Sequence, residues 1–216
     1  MALLRSLNVG QPREAPWAGI GRTSIDKQPV AGPVEIGPYG PSGDQVSDTV
    51  HHGGIDQAVY AFAREDLDWW AAELGLEIRD GQFGENLTTV GIDVNEAEIG
   101  ERWRVGEALL EVTTVRNPCN DFKMWMGRSG YDNTGWVKRF ATVGRPGPYL
   151  RVLVPGPAQA GDEIAVVHEP GHGVTVSTMF RALYTDPGLL PELLKVERLV
   201  DQARRKADAY VANTRL

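Results

Sequence analysis

Cysteine, long apolar runs and excess positive charge are scarce or missing in this chain of 216 residues. Its one cysteine excludes an internal disulfide and fits a reducing compartment. No apolar run approaches the roughly 20 residues that a membrane-spanning helix needs. The opening apolar stretch, residues 1–7, is too short for a signal peptide. We therefore expect a cytoplasmic protein that has no membrane partner.

The charge balance also limits the partners. The chain has 29 acidic and 22 basic residues, giving a net charge of −7, whereas broad nucleic-acid binding requires a basic face. We expect no nucleic-acid partner, although a small local group of arginine and lysine side chains can still hold a phosphate. The 25 glycines and 14 prolines exceed average usage and favour a β-rich architecture over a helical bundle.

The single cysteine, Cys119, follows a predicted strand. Residues 108–113 form an apolar, strand-like run, and Asn117-Pro118 is a turn signal, so we expect the thiol where the strand gives way to a loop. A lone cysteine is often only a small buried hydrophobic residue. Arg116 favours a functional site instead, because a nearby cation favours the thiolate that attacks carbon or binds a metal.

A stretch with paired histidines precedes the cysteine. His51 and His52 stand before Gly53 and Gly54, and adjacent side chains face opposite ways in extended backbone. They are therefore poor joint ligands for zinc. Two alternatives stay open: the rings bind phosphate or transfer protons, or they are polar turn residues ahead of a strand.

A second glycine-containing stretch covers residues 81–89, in which two glycines flank an aromatic residue and an acid and an amide follow. Glu85 either contacts a ligand or holds the loop through backbone N–H groups. Between the two stretches, the apolar spacing predicts a helix at Arg64–Leu74 that ends at Gly75.

Four separated motifs together resemble the MOSC domain, the C-terminal domain of molybdenum cofactor sulfurases, in its small stand-alone YiiM-like branch. They are residues 51–59, 81–88, 99–100 and 116–119. The resemblance covers most of residues 1–168. It implies a mainly β fold with some α, in which mixed strands form a barrel-like core with a few helices outside.

The resemblance also implies a ligand, the molybdenum cofactor, in which molybdenum is bound to a pyranopterin (Mo-molybdopterin). Cys119 matches the family cysteine, which makes it the expected metal ligand and catalytic residue; molybdenum accepts a soft thiolate. The pterin phosphate needs cations and N–H donors, and the pterin ring needs hydrogen-bonding side chains. The residues expected to bind the cofactor are Lys27, His51, His52, Asn86, Thr88, Arg116 and Arg151.

Composition changes after residues 170–173, so we predict a MOSC β-barrel domain at 1–168 and a C-terminal segment at 174–216. Ser177 is expected to cap the first of three short helices there, and the predicted helices are 178–184, 189–195 and about 196–212. The segment resembles the three-helix appendage of the YiiM-like branch. It is too small for a core of its own, so we expect it to dock on the barrel or to support a homodimer.

Three classes of function remain. The first is the reduction of small N-hydroxylated compounds, such as hydroxylamino bases. The chain lacks a flavin or nicotinamide fingerprint, so electrons would come from a separate flavin or iron–sulfur protein. The second is a non-catalytic role in carrying or handling the cofactor or sulfur. The third is a cysteine hydrolase with a histidine base, for which the sequence offers no histidine–acid pair.

Overall fold

The computed structural model describes residues 1–48 and 53–214, so His51 and His52 lie outside the described residues. The strands are β1 Leu3–Val9, β2 Arg13–Glu14, β3 Arg22–Thr23, β4 Gln28–Pro29, β5 Val34–Gly37, β6 Gly40–Pro41, β7 Val59–Ala63, β8 Leu87–Val90, β9 Arg102–Val105, β10 Ala108–Val115, β11 Pro148–Val154, β12 Gly156–Ala158 and β13 Ile164–His168. The α-helices are α1 Arg64–Leu74, α2 Asn120–Arg128, α3 Trp136–Val143, α4 Val176–Tyr184 and α5 Asp201–Thr214, and 3-10 helices cover Ile55–Gln57 and Pro187–Lys195.

Eight strands form one mixed sheet in the order β13-β9-β10-β11-β7-β8-β1-β4. The pairing of β7 with β8 is parallel, and the neighbouring pairs are otherwise antiparallel. Backbone hydrogen bonds from Leu4 N to Asp162 O (2.8 Å) and from Ile164 N to Ala2 O (3.0 Å) also join β1 to the region where β13 begins. The sheet therefore curls towards itself, and the predicted fold class of mixed strands with helices outside is confirmed.

The hairpin of β9 and β10 delivers the chain to Cys119. It turns at Gly106, which has φ of 57°, and a Cβ atom there would lie 2.5 Å from the carbonyl oxygen of Pro157. The close approach of a second backbone thus requires glycine at this turn. The antiparallel pairing of β9 with β10 on either side of Gly106-Glu107 makes the two strands a hairpin.

Helix α1 has the predicted bounds, because apolar periodicity and the glycine stop agree there. Leu67 and Trp70 are buried against the sheet, and Gly75 ends the helix in the left-handed region, with its N–H donating to Ala71 O.

Helix α3 was not predicted. Among the described residues, none of the helices combines the length and apolar character needed to cross a bilayer.

The C-terminal helices differ from the prediction at their starts. Thr175, rather than Ser177, caps α4, and its side chain accepts a hydrogen bond from Thr178 N. The middle segment is a 3-10 helix that contains Pro191, which an α-helix interior would not tolerate. Helix α5 starts at residue 201 rather than 196. Buried side chains of these elements join the same apolar core as the sheet. The division of the chain into units 1–168 and 174–216 and the homodimer both stay predictions.

Candidate functional site

Cys119 lies between the end of β10 and the first residue of α2. It is the N-cap of that helix, and its Sγ accepts a hydrogen bond from Phe122 N at 3.4 Å. The sequence predicted the thiol where the strand gives way to a loop. The strand ends at Val115 and α2 begins at Asn120, and Phe122 and Met126 place an apolar face of this helix against the core. Cys119 is half-buried: it packs against the apolar core and also lines an open pocket.

A pocket opens beside this sulfur. Gly53 and Gly84 bring the two glycine-containing stretches into its wall together with Cys119 and Arg116. The segment around Lys27 closes another side. Cys119 therefore faces a pocket that lies between these two stretches.

Arg116 is a buried cation in this pocket. Its guanidinium carbon lies 4.3 Å from the ring centroid of Phe122 and 5.2 Å from that of Tyr60. Burial alone would lower its pKa, but the surrounding Tyr149, Tyr60 and Cys119 side chains raise the pKa above its usual value, so the group stays charged. Its Nε is buried and has no hydrogen-bond partner among the described residues. A buried donor of this kind is costly unless a ligand satisfies it.

Lys27 also lines the pocket, but its charge is balanced. Its Nζ lies 2.5 and 2.6 Å from the two carboxylate oxygens of Asp44. Burial lowers the pKa of Lys27, and the Asp44 carboxylate opposes that shift. Asp44 is held in turn by Asn86 Nδ2 at 2.9 Å and by the backbone N–H of Gly10 at 2.7 Å.

Asn86 reaches the pocket wall, yet its amide serves the fold. Its Oδ1 accepts from Tyr60 N at 3.1 Å, and its Nδ2 donates to Asn8 O at 3.2 Å and to Asp44. Thr88 is fully buried outside the pocket wall, where its hydroxyl donates to Glu85 and accepts from Asn8 Nδ2 at 3.0 Å. The structure therefore places Thr88 as a support of the site rather than in contact with the pocket.

Glu85 holds its loop through backbone N–H groups, which is the second of the two roles predicted from the sequence. Its carboxylate accepts from Gly81 N at 2.5 Å, Phe83 N at 3.0 Å and Thr88 Oγ1 at 3.0 Å. Burial raises the pKa of Glu85 to about 7, although these hydrogen bonds favour the charged form. The residue therefore holds the loop in shape from inside.

Arg151 does not lie with the other predicted residues. It lines a separate pocket. Its guanidinium pairs with Asp56 at 2.8 Å and lies 3.8 Å from Glu111. The two histidines inside the described ranges, His168 and His172, line that same separate pocket. No histidine of the described part thus stands beside Cys119 to act as a hydrolase base.

The sequence analysis missed several residues of the site. Asp44 lies in a stretch dense in turn formers that carries no signal for an ion pair. Arg22 lies exposed in the pocket wall and makes no ion pair with another described residue. Tyr184 of α4 donates a hydrogen bond to Asn117 Oδ1, which brings the C-terminal segment to the cysteine motif.

The described ranges hold no group of three or more histidine, cysteine, aspartate or glutamate side chains arranged to hold a metal ion. The site as described instead offers one sulfur, one buried guanidinium with an unused donor, and polar backbone from two loops. Such a donor set suits a metal that brings most of its own ligands.

A protein-family model described as "MOSC domain" matches residues 48–165. The chain is 30% identical over 199 residues to "Uncharacterized protein YflK" of Bacillus subtilis, covering 92% of this chain and 86% of that protein. It is 29% identical to "Protein YiiM" of Escherichia coli, over 67% of this chain and 64% of that protein. A protein named "Reductase" from Gibberella moniliformis is 31% identical over 78% of this chain, which spans only 30% of that longer relative.

Two solved structures share the fold. YiiM from Geobacillus stearothermophilus has a TM-score of 0.79 at 23% identity and covers 97% of this chain and 99% of its own. YiiM from Escherichia coli has a TM-score of 0.75 at 23% identity, with 99% and 94% covered. At this identity the likeness is one of fold.

Proposed function

Because this chain belongs to the MOSC domain family, a family associated with the molybdenum cofactor, we propose that it binds this cofactor beside Cys119. The bound protein reduces small N-hydroxylated compounds, such as hydroxylamino bases. Electrons come from a separate flavin or iron–sulfur protein. The name of the fungal relative, "Reductase", supports the reaction class.

The observation that carries the proposal is the combination of an accessible thiol with the buried, partly unsatisfied guanidinium of Arg116 in one pocket. A soft sulfur ligand suits molybdenum, and a buried cation with a free N–H suits an anionic phosphate. The residues present thus fit the cofactor. Lys27 contributes less charge than the sequence suggested, because Asp44 neutralises it.

The side chains have separate tasks in this proposal. Cys119 Sγ would ligate the metal, Arg116 would donate to an anionic group of the cofactor, and Arg22 would add charge at the pocket wall. When bound, the cofactor supplies a metal centre that handles two electrons and the oxygen of the substrate. The overall reaction takes up two electrons and two protons, breaks the N–O bond, and yields the amine and water.

The test begins with protein expressed in cells able to make the cofactor. Molybdenum per chain, pterin fluorescence and turnover of a hydroxylamino base with reduced methyl viologen are measured for wild type and Cys119→Ser. We expect the variant to lose at least tenfold in molybdenum content and in turnover. Serine is itself a favourable N-cap, so α2 and the melting temperature should be preserved.

Arg116→Lys keeps the charge but loses the fixed guanidinium, and should lower cofactor retention, whereas Arg205→Lys makes the same change on an exposed helix position and should not. Equal turnover in wild type and Cys119→Ser would refute the reductase. Cofactor retention without turnover across a substrate panel would instead favour the carrier role.

A further inference from the structure

The separate pocket that Arg151 lines, called the Arg151 pocket below, lies where the sheet meets the C-terminal segment. Strands β9, β10, β11 and β13 supply part of its wall. Residues 195–198, at the end of the second 3-10 helix and just after it, supply another part. The cavity volume is about 360 Å³, within the range of about 300–1,000 Å³ for small-molecule pockets. The pocket is therefore large enough for a small ligand.

Three arginine side chains in this wall converge on one buried carboxylate. Arg102 Nε donates to Glu111 Oε2 at 3.0 Å. Arg198 Nη1 and Arg151 Nε lie 3.6 and 3.8 Å from Glu111 Oε1, too far for hydrogen bonds. Only 4% of the Glu111 side chain is exposed, against 40% of Arg102 and 61% of Arg198. An anion that enters from solvent therefore meets guanidinium groups before it meets the carboxylate.

These guanidinium groups carry more N–H donors than the chain has acceptors for. Each arginine has five donors in a planar fork. Arg102 uses one of them on Glu111, and the Arg198 guanidinium donates no hydrogen bond to a described residue. Arg151 Nε is buried and has no hydrogen-bond partner within the described part of the chain. Since an unpaired buried donor is costly, the pocket favours a ligand that has several acceptor atoms.

The other charged or titratable side chains of the wall contribute less to such a site. Lys195 is paired with an acidic side chain three residues before it. Both ring nitrogens of His172 are engaged, one with a backbone carbonyl at 2.8 Å and the other with a backbone N–H at 3.0 Å. His168 and Glu197 are exposed. The unused N–H groups of the three arginines are therefore the feature that selects the ligand.

We propose that the Arg151 pocket binds a phosphate group, either as the free anion or as part of a small phosphate ester. Arg102 and Arg198 donate to the phosphate oxygens, and Arg151 supplies a third, buried donor. Phosphate suits these groups because its oxygens accept the paired N–H donors of a guanidinium in bidentate fashion. The bound group joins residues 195–198 to the sheet. The inference is independent of the proposed function, since it involves neither Cys119 nor the molybdenum cofactor.

Calorimetry on the full chain measures the dissociation constants of inorganic phosphate and of glycerol 3-phosphate, with chloride at equal ionic strength as the control. Arg198→Gln should weaken binding about tenfold, the value of one hydrogen bond between charged groups. Arg198 is largely exposed, so its replacement should preserve the fold. Arg205→Gln makes the same change of charge on an exposed position of α5 and should leave binding within twofold. Tighter binding of glycerol 3-phosphate assigns the pocket to an ester, and equal affinities assign it to free phosphate.

Hydrogen exchange on the unchanged chain locates the bound group without any substitution. Phosphate should slow exchange in peptides covering residues 99–102, 168–172 and 195–199 and leave 130–135 unchanged. The inference would be overturned if neither probe binds, if chloride gives the same response, or if Arg198→Gln binds as tightly as wild type. Protection confined to the Cys119 pocket would also overturn it, because the phosphate would then occupy the other site.

Discussion

At the scale of single residues, the buried carboxylate of Glu85 makes stability depend on pH. Its pKa is about 7 in the fold against a reference value of 4.5. Between these two values the folded chain keeps a proton that the unfolded chain releases, so raising the pH destabilises the fold. The contribution is complete below pH 4.5 and lost above pH 7, and its upper bound is about 3 kcal/mol.

We therefore predict that Glu85→Gln flattens the fall in unfolding free energy between pH 5 and about pH 7.5, as measured by urea denaturation. Glu96→Gln makes the same change on an exposed side chain and should keep the wild-type slope. A Glu85→Gln protein whose slope matches that of wild type would contradict the role assigned to this carboxylate.

Thr88 gives a second prediction at this scale. Its hydroxyl joins Asn8 to Glu85 in a fully buried position. Thr88→Val keeps the shape but leaves both partners short of a hydrogen bond, so the unfolding free energy should fall by about 1–3 kcal/mol. Molybdenum content per folded chain should be unchanged, because the residue lies outside the pocket wall. Thr88→Ser retains the hydroxyl and should cost less; a selective loss of molybdenum in Thr88→Val would show that the residue holds the cofactor.

Single residues also differ in how far the sequence reveals them. Cys119 and Arg116 could be predicted because one short motif holds both. Asp44 could not, since its importance comes from Lys27, 17 positions away, and from Asn86, 42 positions away. Arg151 was placed with the pocket on charge alone, and strand geometry directs it to Asp56 instead.

At the scale of elements, the loop before β8 depends on glycine at position 81. Gly81 has φ of 80°, and a Cβ atom there would lie 2.5 Å from Lys27 O. Gly171 serves as the comparison, because it has a similar φ of 77° but open space around it. The backbone N–H of each glycine donates to a glutamate carboxylate, that of Gly81 to Glu85 and that of Gly171 to Glu98. We predict that Gly171→Ala costs about 1–2 kcal/mol of backbone strain.

Gly81→Ala should cost about 1–3 kcal/mol more than that, because the added methyl must also displace the backbone of Lys27. Urea denaturation of the two variants measures the difference. Equal destabilisation would mean that the chain can move away from residue 81 without penalty, and that the loop is not tightly packed there.

The elements themselves were predictable where two local signals agree. Helix α1 combines apolar periodicity with a glycine stop, and both bounds were correct. The start of α2 carries no clear sequence signal, because Asn117-Pro118 indicates a turn and a cysteine is an unusual cap. Helix α5 starts five residues later than predicted. Val196 and Leu199 are buried in the tertiary structure, but they precede the helix and are not part of its apolar repeat.

At the scale of the whole molecule, Phe180 couples the C-terminal segment to the rest. It is fully buried, and its ring lies 6.1 Å from that of Phe140 in α3. Phe180→Ala should lower the unfolding free energy by about 3–5 kcal/mol. Leu76→Ala removes an apolar side chain that is 50% exposed and should change it by less than about 0.5 kcal/mol.

Wild type should unfold in one transition seen alike by tryptophan fluorescence and by circular dichroism. An early, separate transition of the C-terminal helices would show that the predicted units 1–168 and 174–216 are energetically independent. Sedimentation at micromolar concentration tests the predicted homodimer, and a monomeric mass there would count against it.

Cys119 is the single cysteine among the 216 residues, and it is partly exposed in the pocket wall. This position has a practical consequence. A thiol-directed electrophile can modify this protein at one atom only, so mass spectrometry counts occupied pockets directly. A fluorescent maleimide or a spin label attached without any mutagenesis would report on that pocket alone. The same uniqueness makes the protein vulnerable, because a single oxidant molecule per chain is enough to block the site.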